Sequence, residues 1–227
     1  MHADLAAPLC LADLAYAARM SEFHFVRVFR ELAGLPPLRF LSALRLAEAR
    51  DLLVNTDEAV IQICLKVGYS SVGTFTRRFT ELVGIPPLRL RQYARAKYAP
   101  ALEGARLLAG ADVRVYVTSF PETGPELASQ ALIAAFGSPL PFGFPAACAI
   151  AREGSSIFPS RLGLGSYYFL AFGLVGRTRT CASPVLVAIN DLAIPQEAHI
   201  TLRRVEPTDP PLLSFVPFIL YKKYLEG

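Results

Sequence analysis

Four cysteines are spread over 227 residues, Cys10, Cys64, Cys148 and Cys181, and no two of them form a CxxC pair. That leaves no disulfide framework and no thiolate metal motif, and it fits a reduced, cytoplasmic chain with no secretion signal at its start. The three histidines, His2, His24 and His199, lie far apart without metal-ligand spacing, so no zinc site is expected. Long uncharged runs are few. Residues 127–151 carry no charge, but Pro139, Pro141 and Pro145 with two glycines break any spanning helix, and the uncharged run at 162–176 is too short to cross a bilayer. No membrane segment is expected, and neither catalytic residues nor cofactors are suggested by any motif. Charge is unevenly divided. Residues 1–99 hold 13 Lys and Arg against 9 Asp and Glu, whereas the remainder holds 10 of each. The formal surplus therefore sits on one half, as neutralisation of a polyanion requires.

What is present is a repeat. Ser21–Arg39 and Ser71–Arg89 align at an offset of 50 residues with 11 of 19 positions identical, among them Phe25/Phe75, Arg27/Arg77, Phe29/Phe79, Leu32/Leu82, Gly34/Gly84 and both Pro-Pro pairs. A repeat at fixed offset is one supersecondary unit built twice. Ser21 and Ser71 suit helix N-caps, and Phe25, Phe29 and Leu32, like Phe75, Phe79 and Leu82, fall on one apolar stripe. Gly34 and Gly84 predict left-handed helix stops, and the prolines after them can open a new helix. Arg27 and Arg77 fall off the stripe, on the exposed face.

A shorter helix precedes each copy. Leu11, Leu14, Ala15 and Ala18 form its stripe in the first; Val60, Ile63, Cys64 and Val67 form it in the second, with Thr56 or Asp57 as cap, Glu58 in the first turn and Gly68 as stop. Cys64 on that stripe reads as core. Each copy is thus a helix-turn-helix, with the second turn one residue longer. Between the units, residues 37–55 have no internal glycine or proline and predict one helix with Leu41, Leu44, Ala47 and Leu52 inward and charges opposite. At 1.5 Å per residue it spans about 27 Å, which with the bodies of two small units approaches the roughly 34 Å of one DNA turn.

These residues, from about Leu9 to Tyr98 and most specifically 45–87, resemble the DNA-binding domain of the AraC/XylS family of bacterial transcription regulators. The resemblance implies a sequence-specific regulator on double-stranded DNA, associated with the nucleoid, with the second helix of each unit in the major groove. It implies DNA contacts from Ser21, Phe23, His24, Val26, Arg27 and Arg30 in the first unit. In the second they are Ser71, Val72, Gly73, Thr74, Thr76, Arg77 and Arg78. RNA polymerase, a small-molecule effector and a second copy of the chain are the further partners it suggests. Pro36 and Pro86 stand where family members often carry a capping serine, and Phe23, Val26, Val72 and Gly73 offer little hydrogen-bonded base readout. Thymine-methyl contacts and DNA shape would then carry more of the specificity.

Beyond Ala99-Pro100 the texture changes to short alternating runs: 113–120, ALIAAFG, AACAIA, SYYFLAFGLV, PVLVAI and HITLRRV, separated by Pro, Gly and Ser turns. That pattern predicts an all-β sandwich or barrel, with a short helix conceivable at the start of PELASQALIAAF. Residues 131–175 loosely resemble prealbumin-like, carboxypeptidase-regulatory β-sandwich modules, which are usually not enzymes. The expected architecture is two domains. An all-α double helix-turn-helix occupies 1–99, with units at about 11–34 and 57–84 and a linker helix at about 37–55. A linker at 100–111 leads to a mainly-β sandwich at 112–227 for effector binding or dimerisation, with no ligand residue singled out. Two other functions fit parts of the pattern: an architectural DNA-binding protein with little sequence preference, and a DNA-repair methyl-acceptor sensor. The latter needs an activated cysteine, and only Cys181, after RTRT, has basic surroundings.

Overall fold

The computed structural model describes residues 1, 4–95, 111–119, 130–138, 140, 142, 143, 145–152, 156–162, 166–173, 186–193, 197–204, 206–211 and 213. Six helices come first: α1 Leu11–Ala17, α2 Glu22–Ala33, α3 Pro37–Asn55, α4 Val60–Lys66, α5 Val72–Val83 and α6 Pro87–Arg95. The two helix-turn-helix units are α1–α2 and α4–α5, and α3 joins them. Their turns differ by the expected residue. Residues 18–21 connect the first pair, with Arg19 at φ 55°, and 67–71 the second, with Gly68 at φ 83°.

The helix ends follow the sequence. Ser21 Oγ accepts from the His24 N–H and Ser71 Oγ from the Thr74 N–H, both at 3.4 Å. Each satisfies one of the orphan donors of a first turn, worth about 1 kcal/mol per cap. Gly34 and Gly84 close α2 and α5 in the left-handed region at φ 72° and 102°. Pro36 and Pro37 open α3 with no side-chain cap, as the departure from a capping serine implies. One boundary differs. Thr56 and Asp57 do not cap α4; its N-cap is Ala59, whose N–H is received by the Gln62 side chain at 3.2 Å. Thr56 instead closes α3, its hydroxyl donating to the Leu52 carbonyl at 2.7 Å, and Glu58 stays before the helix, paired with Lys66 at 2.9 Å.

Helix α3 is buried on more than one face. Phe40, Leu41, Ala43, Leu44, Leu46, Ala49, Arg50 and Leu53 are all inside, whereas Ala47 and Leu52 are only partly covered. The expected single apolar stripe with charges opposite is therefore corrected: the helix passes between the two units, so both of its flanks face protein. Even Arg50 is buried, paired with Asp51 at 2.7 Å. One contiguous core runs from Ala33, Leu35 and Phe40 through α3 to Ile63, Cys64, Phe75, Phe79 and Val83. Leu14, Ala15 and Phe25 form a smaller cluster of the first unit, joined to the main one through Phe29, whose ring lies 5.5 Å from both Phe25 and Phe40.

Arginines stitch the periphery to this core. Arg45 on α3 donates to the carbonyls of Leu5 and Ala7 at 2.9 and 2.7 Å, pinning the segment before α1. Arg91 on α6 donates to Leu53 and Glu58 carbonyls at 3.3 and 2.6 Å, and Arg95 pairs with Asp57.

The later residues form seven strands: β1 Ala111–Ser119, β2 Gln130–Phe136, β3 Ala147–Arg152, β4 Ser156–Leu162, β5 Ser166–Gly173, β6 Leu186–Ala193 and β7 Glu197–Arg204. The uncharged 127–151 stretch thus holds two strands, β2 and β3, where it is described. All six expected runs are strands; the start of PELASQALIAAF lies outside the described residues. Missed was β4, because Pro159 interrupts its run. It is an edge strand, where proline is tolerated, and its pairing with β1 shifts register on either side of that residue.

The strands form one sheet in the order β3-β2-β5-β6-β7-β1-β4, antiparallel except for β1–β7. Its edges β3 and β4 are separated in sequence only by residues 153–155. Six strand spacings would put the edges of a flat sheet about 29 Å apart, but four Cα steps reach at most about 15 Å. The sheet must curl, and β3 and β4 do lie against one another.

Gly68 gives the first test of the helical part. A Cβ there would sit 2.6 Å from the Leu5 carbonyl and 3.0 Å from the Arg45 guanidinium, at a backbone angle that side chains avoid. Gly68→Ala is expected to lower stability by about 1–3 kcal/mol in urea unfolding. Gly73→Ala, with only Ser71 Oγ at 3.8 Å in its way, should raise it by up to about 1 kcal/mol.

Candidate nucleic-acid interface

The first turns of α2 and α5 stand open. In unit 1, Ser21, Phe23, His24, Arg27 and Arg30 are exposed and Val26 is partly covered; in unit 2, Ser71, Val72, Gly73, Thr74, Arg77 and Arg78 are exposed and Thr76 is partly covered. Both sets cluster on the faces that their apolar stripes leave outward. The phenylalanines on the other side of each helix, Phe25 and Phe75, anchor that orientation by burial.

The two serines do double duty. Each hydroxyl oxygen accepts a first-turn N–H, which leaves its own proton available to donate outward, to a phosphate for example. The side chains of Arg30 and Arg77 make no hydrogen bond or ion pair among the described residues, so their guanidinium groups are uncommitted. Arg27 is shared with the His24 ring at 3.3 Å, and Arg78 pairs with Glu81 at 3.4 Å. Both pairs are exposed and cheap to exchange for a stronger anion, since surface ion pairs contribute little.

Unit 1 adds a shape. Phe23, Val26, Arg27, Arg30 and Glu31 line an open cleft of about 460 Å³, a mixed apolar and charged surface. Phe23 is 84% exposed, an unusual position for a phenylalanine and suited to contact with an apolar base edge. Unit 2 presents the smaller side chains of Val72, Gly73 and Thr74 at the corresponding turn.

Two positions escaped the sequence reading. Arg39 and Arg89, identical in the two copies, lie exposed in the first turns of α3 and α6 and make no pairing among the described residues. Their signal was the repeat itself: an exposed cation kept at the same place twice.

Of the described cysteines, one has a side-chain environment that bears on reactivity. Cys64 is fully buried, and burial pushes its thiol pKa up, away from the thiolate that methyl acceptance needs. Cys10 is exposed, Cys148 lies in β3, and Cys181 is outside the described residues. No group of three or more potential metal ligands occurs among the described residues.

Residues 14–93 match the family described as helix-turn-helix domain. An uncharacterized HTH-type transcriptional regulator of Haemophilus influenzae is 40% identical over 65 residues, 29% of this chain and 22% of its own length. The HTH-type transcriptional activator AarP of Providencia stuartii is 34% identical over 67 residues, 30% of this chain and 50% of its own. The chain thus spans half or less of these curated relatives. Among solved structures, a transcriptional regulator with an AraC-type DNA-binding domain from Chromobacterium violaceum is 31% identical, with a TM-score of 0.41, covering 43% of this chain and 87% of that one. Residues 14–93 belong to the AraC-type helix-turn-helix domains, the DNA-binding part of transcriptional regulators.

Proposed function

We propose that the chain is a sequence-specific transcription regulator that places α2 and α5 in successive major grooves on one face of a duplex. The observation that carries this reading is the doubled presentation: two recognition helices with the same serine cap, the same buried phenylalanine and an arginine at the same exposed position, Arg27 and Arg77. Ser21, Phe23, His24, Val26, Arg27 and Arg30 form the first contact set; Ser71, Val72, Gly73, Thr74, Thr76, Arg77 and Arg78 form the second. Arginines supply phosphate contacts and bidentate guanine readout, Thr74 and Thr76 suit either a phosphate or a base edge, and Phe23, Val26 and Val72 suit thymine methyls. Residues 1–99 act as the DNA-binding domain, 100–111 as the linker and 112–227 as a β-rich domain for effector binding or dimerisation. RNA polymerase is the further partner, and the nucleoid within the cytoplasm the place of action.

Selection from random duplex DNA with the full chain tests it. A motif with two subsites about one helical turn apart is expected. Salt-sensitive binding with no enriched motif would instead support an architectural protein, a reading that the apolar Phe23, Val26 and Val72 keep in play. On a selected site, Arg27→Ala and Arg77→Ala should each cost about 1–3 kcal/mol and relax preference only within their own subsite. Wild-type affinity in both variants would move the reading face elsewhere on the helices.

A further inference from the structure

The two units are copies in sequence but not in surroundings. Leu32 and Leu82 occupy the same place near the ends of α2 and α5, yet Leu32 is 70% exposed while Leu82 is partly buried. The capping glycines differ likewise: Gly34 is exposed and Gly84 is partly covered. The second unit is covered by the loop between β2 and β3. Gly143, in the loop between β2 and β3, donates its N–H to the Leu82 carbonyl at 2.7 Å. That carbonyl is one of the last-turn acceptors that a helix cannot satisfy itself. Leu140 and Leu213, 2% and 0% exposed, belong to the same contiguous core as Val83, Phe79 and α3, and Phe142 packs against it.

The loop is not loosely attached to its sheet. The Ala146 N–H donates to the Ala135 carbonyl at 2.8 Å, closing the hairpin below the tip, and β2 is paired along its length with β5 as well as β3. Gly143 sits at φ 62°, which fixes how the tip turns its amide toward α5. The contact lies at Leu82, four residues and so about 6 Å along α5 from Arg78, the nearest of the proposed DNA-facing residues. Arg77 and Arg78 stay exposed beside it.

We propose that the tip of the β2–β3 hairpin is an internal docking element for the exit of α5, through which the β-rich region acts on the second recognition helix and not on the first. The regulatory consequence rests on the DNA-binding reading above; the contact itself does not. Any event that shifts β2 against β3, such as ligand binding or pairing with a second copy, is transmitted to the last turn of α5. Unit 1, whose equivalent Leu32 and Gly34 are exposed and meet no such loop among the described residues, receives no such input and reads DNA in the same way in either state.

Hydrogen exchange of the full chain without DNA tests the contact, with wild type compared with Leu140→Ser and, separately, Phe142→Ser. Both substitutions lie outside the helical domain. The expected result is exchange accelerated about tenfold or more at the exit of α5, residues 80–85, with the matching exit of α2, residues 30–35, changed by less than about twofold. Unchanged exchange at α5 in both variants would overturn the proposal. So would equal acceleration at both exits, which is general destabilisation. If Leu140→Ser fails to fold, Phe142→Ser, whose side chain is only partly buried, decides alone. Because no DNA is present, failure here removes the contact and leaves the DNA-binding reading standing, and failure of site selection does the converse.

Discussion

The burial of α3 is the constraint on which the helical domain depends. A helix that separates two small units normally needs one apolar face; this one needs more, because each unit is too small to enclose its own phenylalanines. Phe75 and Phe79 share one core with α3, and Phe29 reaches that core by its edge contact with Phe40. Each recognition helix is thus held between the short helix in front of it and the shared rod. Arg45 and Arg91 then fasten the segment before α1 and the helix after α5 to the same rod.

This arrangement also makes the repeat unequal. Unit 2 is continuous with the main core, with Phe75, Phe79 and Val83 wholly enclosed, whereas unit 1 keeps a satellite cluster of Leu14, Ala15 and Phe25 bridged by one ring. The unit with the thinner core carries the open cleft beside Phe23 at its outward face. The better packed one carries the contact with the sheet. Sequence identity between copies therefore conceals a division of labour that only their surroundings reveal.

Much of this was legible beforehand because local chemistry decided it. Ser21, Ser71, Gly34 and Gly84 are caps for reasons contained within four residues, and the bounds of α2, α3 and α5 followed from them. The α4 start was misplaced because Thr56 had two uses: a hydroxyl near a helix end can close the helix behind as readily as open the one ahead. The second face of α3 was hidden because Leu46, Ala49 and Arg50 are buried by parts of the chain that sequence periodicity does not report. In the later half, alternation found strands but not how they close, since pairing order is a long-range property. Pro159 masked β4 because proline is compatible with a strand only when that strand has a free side. The candidate site was read at the level of faces, and the difference between Leu32 and Leu82 could not be, as the residues are identical.

A buried helix shared by both units has a mechanical corollary. On the proposed reading, α3 holds the spacing of α2 and α5 before a duplex arrives. If that geometry departs from the pitch of straight B-form DNA, the mismatch must be absorbed by the softer body, and bending a site by tens of degrees costs the nucleic acid on the order of 1–6 kcal/mol. On the proposed reading, the base steps between the two subsites, touched by no side chain, would then be selected for how readily they kink.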